Sequence, residues 1–86
     1  MDAVLLDVIA VAIRSVSKRA QTQAVTADSR LVDDLALDSL DLVGVLMKLE
    51  DHFGLKIELD EVPNIQTVAD LGAHIEKLRG GHAVAA

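Results

Sequence analysis

The sequence predicts an all-α fold: a small right-turning bundle of three main helices plus one short helix, with a long loop between helices one and two. Three observations predict it. Apolar residues recur at helical spacing in three separate stretches. Two of those stretches open on capping-box signatures, Asp38 with Asp41 and Thr67 with Asp70. The one alternating run, Leu55-Lys56-Ile57-Glu58-Leu59, has no second run to pair with and reads as an extended link.

Asp2 caps a first helix in which Leu5, Val8, Ile9, Ala12 and Val16 face inward. Arg14, Lys18 and Arg19 sit toward its C-terminal end, where the dipole favours cations. Its period fades around Ala20-Gln21-Thr22-Gln23. From about Thr22 to Leu37 no period persists. Thr26, Asp28 and Ser29 supply turn chemistry, while Val25, Leu31, Leu35 and Leu37 are spaced apolar pins. Asp33-Asp34-Leu35 can make one short helical turn in a loop that crosses the domain.

The second helix runs from Ser39 to Phe53, with Asp38 as its N-cap. Leu42, Val45, Leu46, Leu49 and Phe53 form its core stripe. A second stripe, Leu40, Val43 and Met47, is offset around the helix and flanked by Asp41, Glu50 and Asp51. It reads either as a docking surface or as cover for the long loop. Gly44 costs about 1 kcal/mol relative to Ala in a helix, which implies a steric reason for it. Gly54 ends the helix in a left-handed conformation. Leu59 to Val62 makes a short helix before Pro63, and the last helix opens at Thr67 with Val68, Leu71, Ile75 and Leu78 inward. Gly80-Gly81 is expected to stop it, giving one domain over residues 1–80 and a flexible tail over 81–86.

Composition bounds what such a bundle can do. The 86 residues suffice for one core, burying about 60–70% of the unfolded surface. Phe53 is the sole aromatic residue, so that core is aliphatic, held by many weak contacts and suited to being parted. There is no cysteine, which removes disulfides and thiolate metal sites and fits a reducing compartment. No apolar run reaches the roughly 20 residues of a membrane span. The acids Asp2 and Asp7, with no early base, argue against a signal peptide, so a cytoplasmic location is expected. Of the net charge of −6, the middle of the chain carries more than the whole: ten acids against three bases lie between Asp28 and Glu61. That field repels nucleic acid and steers basic protein partners toward the second helix.

Ser39 falls on the first helical position, where backbone N–H groups lack intrahelical partners and an attached anion would meet the positive end of the dipole. Asp38 already fills the capping role, leaving the hydroxyl free. It is not a catalytic nucleophile: His52, 13 residues on, is roughly 20 Å away along the helix axis. There is no Gly-x-Ser-x-Gly elbow, no calcium loop, no close histidine spacing and no Gly-rich phosphate loop. A capping serine or a modification site remain the two readings.

Asp34-Leu35-Ala36-Leu37-Asp38-Ser39-Leu40-Asp41, followed by the helix ending Leu49-Glu50-Asp51-His52-Phe53-Gly54, resembles the acyl carrier proteins. The resemblance covers nearly the whole chain, from the Val25-Thr26-Ala27-Asp28-Ser29 approach to the helix from Thr67. It implies a free-standing, monomeric carrier, not an enzyme, with a 4′-phosphopantetheine arm joined to Ser39 by a phosphopantetheinyl transferase using coenzyme A. Asp38 and Leu40 would flank that attachment. The arm's thiol would hold acyl intermediates for loading, condensing and acyl-transfer enzymes of fatty acid, polyketide or specialised lipid synthesis. The implied partner surface is Asp38, Leu40, Asp41, Val43, Met47, Glu50 and Asp51, with no nucleic acid, membrane insertion or metal. Ala36 stands where the family usually has Gly, so the turn before Ser39 is expected not to be left-handed. Gly44, Lys48 and His52 dilute the helix's acidity. A carrier for amino acids or peptides is the nearest rival, although Ala36-Leu37 departs from its usual Gly-Gly. An unmodified helical module docking through Leu40 to Met47 is another.

Overall fold

The computed structural model describes the chain from Asp2 to Ala85, residues 59 and 80–85 as backbone alone. Helix α1 spans Ala3–Val16, and the Asp2 carboxylate accepts the Leu5 amide at 2.7 Å. Leu5, Ile9, Ala10, Ala12 and Ile13 are buried, while Val8 and Val16 pack only partly against the core. The fading period beyond Val16 conceals a break. Ser17 is extended, and a separate four-residue helix α2 follows over Lys18–Gln21. The Ser17 hydroxyl causes the break by capping the new turn, accepting the Ala20 amide at 3.3 Å.

The long loop is pinned as expected, with Val25, Leu31, Leu35 and Leu37 in the core. A helical turn forms at its centre, where the Asp34 amide donates to Arg30 O and the Ala36 amide to Val32 O. Ala36 itself has φ 55°, so the turn before Ser39 is left-handed after all. An L-residue accepts this conformation at a cost of order 1–2 kcal/mol when its neighbours are held on both sides. Here they are: Leu35 and Leu37 are both buried.

Helix α3 spans Ser39–Phe53 and buries Leu42, Val45, Leu46 and Leu49. Gly54, at φ 65°, ends it as expected, its amide returning to Glu50 O at 2.8 Å. A methyl group on Gly44 would meet Val16 Cγ1 at 3.5 Å, an ordinary contact, so the glycine has no steric requirement there. The link from Leu55 to Glu58 forms neither helix nor strand, and Glu58 at its end is extended. The following 3-10 helix, Leu59–Asn64, runs through Pro63 instead of stopping before it. Its bonds from Glu61 to Glu58 O and from Ile65 to Val62 O bracket the proline, whose fixed φ suits this geometry.

Helix α4 spans Val68–Ala85 and buries Val68, Leu71 and Ile75, with Leu78 at the margin. It continues through Gly80 and Gly81 rather than stopping at them, because glycine weakens a helix by about 1 kcal/mol without barring it. Its capping box forms between Thr67 and Asp70. The start of α4 does a second job. Its Val68 and Ala69 amides donate to Ser29 O and Ala27 O, and Leu31 donates to Gln66 O, in an isolated antiparallel bridge between Arg30 and Thr67. The long loop is thus tied by its backbone to the last helix. Helix α1 lies against α2, α3 and α4, placing one aliphatic core among them. Among the described residues no helix is long and apolar enough to cross a membrane.

Candidate functional site

The site is the junction where the pinned loop becomes α3. Asp38 is extended (φ −86°, ψ −178°), and its carboxylate accepts the Asp41 amide at 2.7 Å. The Asp41 carboxylate in return accepts the Asp38 amide at 3.4 Å, closing the capping box. Ser39 follows on the first helical residue, exposed, with the capping function already taken by its neighbour. Its oxygen is presented from a fixed base: Leu37 is buried on one side and Leu42 on the other.

The second stripe stays outside the core. Leu40 is 80% exposed and Met47 58%, with Val43 half-buried between them. Asp38 and Asp51 are exposed beside this stripe, and Asp41 is half-buried within the capping box. Glu50 is different. Its carboxylate turns toward the link after α3 and accepts the Ile57 amide at 2.8 Å. Lys48 and His52 face another way, lining a groove with Asp7, Val8 and Val11 of α1.

A second groove, of about 450 Å³, begins at Leu42, one turn along α3 from Ser39. Val32, Val62 and Ile65 complete its apolar lining, with Arg30 and Gln66 at its polar margin. Arg30 is held there by Asp33 at 3.3 Å, and Val32 stands 62% exposed. Sequence reasoning missed this groove. Its walls come from the loop, α3 and the 3-10 helix, and no periodicity joins those segments. The unplaced Val32, apolar and exposed beside the buried Leu31, is its trace in the sequence.

His52, at the far end of α3, is the only histidine on that helix. Among the described residues no group of three or more His, Asp or Glu side chains could hold a metal ion. What the site offers is an accessible oxygen on a rigid support, with a groove of apolar lining and polar edge nearby. That donor set fits a phosphate-linked, flexible chain carrying amides and an apolar end.

Comparison with known proteins agrees. Residues 7–75 match the family described as "Phosphopantetheine attachment site". The chain is similar to an acyl carrier protein of Akkermansia muciniphila, with 40% identity over 60 residues covering 70% of this chain and 75% of that one. It is also similar to an acyl carrier protein of Thermotoga maritima, 45% identical over 56 residues, covering 65% and 69%. Among solved structures, a candidate acyl carrier protein from Mycobacterium tuberculosis superposes with a TM-score of 0.74 at 32% identity, covering 83% of this chain and 93% of that one.

Proposed function

The chain belongs to the phosphopantetheine-binding acyl carrier proteins, a carrier family with no catalytic activity of its own, and on that premise we propose that Ser39 is the residue that bears the 4′-phosphopantetheine arm. The observation that carries this reading is the exposed Ser39 oxygen at the first position of α3, relieved of capping by Asp38. In the transfer, the Ser39 oxygen bonds to the phosphorus that carries pantetheine in coenzyme A. The phosphoanhydride breaks, the adenosine bisphosphate leaves, and the serine proton passes to a base on the transferase. The bound arm supplies a thiol, and acyl groups are carried on it as thioesters.

The chain's own residues anchor, present and shelter. The α3 amino terminus sets positive backbone charge beside an anion attached at Ser39. Asp38, Leu40, Asp41, Val43, Met47, Glu50 and Asp51 form the surface that loading, condensing and acyl-transfer enzymes of fatty acid, polyketide or specialised lipid synthesis grip. Support comes from the exposure of Leu40 and Met47 and from the acids around them. The groove at Leu42, Val62 and Ile65 shelters the cargo. The carrier unit lies within residues 1–80 and acts as a cytoplasmic monomer, a setting its lack of cysteine suits.

Incubation with a phosphopantetheinyl transferase and coenzyme A tests the reading by intact mass. One arm is expected per chain, and none on Ser39→Ala. Addition that persists in that variant removes the assignment.

A further inference from the structure

Resting on the reading that Ser39 receives the arm, we infer that Ser17 is a positioning residue for Ser39. Ser17 lies between α1 and α2, 5% exposed, and its hydroxyl donates to Leu35 O at 2.8 Å across 18 residues of sequence. That carbonyl belongs to the peptide plane joining Leu35 to Ala36, and φ of Ala36 is the rotation about the far end of that plane. The plane is held on both edges. Its oxygen is fixed by Ser17, and its N–H donates to Val32 O at 3.1 Å.

The held state is the strained one. Ala36 has φ 55°, a conformation L-residues rarely take, and turning the plane over would return it to ordinary negative φ. That rotation breaks the Ser17 bond and re-aims the chain just before Asp38 begins the capping box. The same rotation turns the Ala36 N–H away from Val32 O, so both bonds oppose it. The Ser17 bond refers this peptide plane to α1 and α2, as the Leu31 bond to Gln66 O refers the loop to the start of α4, because Ser17 is itself fixed by the end of α1 and by the Ala20 amide it caps. Ser17 therefore keeps the approach to Ser39 in a single conformer. The break between α1 and α2, which leaves this hydroxyl unspent by α1, is the device that makes it available.

The test compares the whole chain with Ser17→Ala, Ser17→Thr and Ser17→Ala/Ala36→Gly. It uses backbone amide NMR of residues 36–40 and steady-state arm transfer from coenzyme A, with thermal melts run alongside. Native protein and Ser17→Thr are expected to show one set of amide resonances and equal kcat. Ser17→Ala should show shifted or doubled resonances and a kcat lower by about three- to ten-fold at unchanged KM. Adding Ala36→Gly should recover kcat, since glycine holds positive φ without strain even when the clamp is gone. A purely stabilising Ser17 would move the melting temperature and leave this split untouched. Should Ser17→Ala fail to fold, Ser17→Cys fills the same space with a weak donor and should shift the same resonances. A native-like spectrum, a native kcat in Ser17→Ala, or a loss that Ala36→Gly does not recover overturns the inference. If the native chain accepts no arm, the Ser39 reading fails, and the spectra alone decide on the clamp.

Discussion

The Glu50 carboxylate accepts the Ile57 amide at 2.8 Å, so an acid expected on the partner surface also ties the end of α3 to the link that follows it. Ile57 is buried, and without Glu50 its half-buried amide would lose this acceptor. Replacing Glu50 by Ala should lower stability by about 1–3 kcal/mol, the usual cost of stranding a half-buried donor. Denaturant melts check this, and faster amide exchange from Leu55 to Ile57 should accompany it.

Asp51, four residues on from Met47, is exposed and makes the contrasting case. Asp51→Asn should leave stability within about 0.5 kcal/mol. It should weaken association with the transferase, and by less as salt rises, because exposed charges are screened over about 10 Å at 0.1 M. Binding measured across a salt series decides it, and an Asp51 effect that ignores salt would count against the proposed surface.

Gly44 offers an easy gain. A methyl group there meets only Val16 Cγ1, at 3.5 Å, and the helix would lose a residue with poor helical propensity. Gly44→Ala should raise stability by about 1 kcal/mol in a denaturant melt.

The Asp70 carboxyl is held below its ordinary value, first by the Gln66 and Thr67 amides that donate to it and less by the Thr67 hydroxyl, against a small opposing desolvation. The folded state therefore binds this proton less readily than the unfolded chain. Its contribution is present above the ordinary carboxylate pKa and fades as pH falls through the lowered one. Melting temperatures taken from about pH 5 down to about pH 2 should fall less steeply in Asp70→Asn than in the native chain.

Shelter of the cargo is testable on the loaded carrier. A medium-length acyl group should shift the methyl resonances of Val32, Leu42, Val62 and Ile65, which line the groove beside Ser39. Shifts confined to residues outside that groove would show that the chain lies elsewhere.

The residues divide by the range of the forces that place them. Asp38, Ser39 and Asp41 were legible as a cap and a presented hydroxyl because every contact involved lies within three residues. The same holds for Thr67 with Asp70 and for the core stripe from Leu42 to Leu49. Gly54 announced its left-handed turn by having no side chain to oppose it. Ala36 gave no such signal. Its positive φ is imposed from outside, by buried neighbours and by a hydroxyl at the junction of α1 and α2.

By itself, then, the sequence determined the α1, α3 and α4 helices, their inward faces and the identity of the presented serine, since periodicity and caps act between near neighbours along the chain. Tertiary structure decided the break at Ser17, the turn at Ala36, the inward errand of Glu50 and the strapping of the long loop to the start of α4. Each of those rests on a few hydrogen bonds or on one backbone angle. It becomes favourable only after the aliphatic core has brought distant segments together, and no local pattern of residue types encodes it.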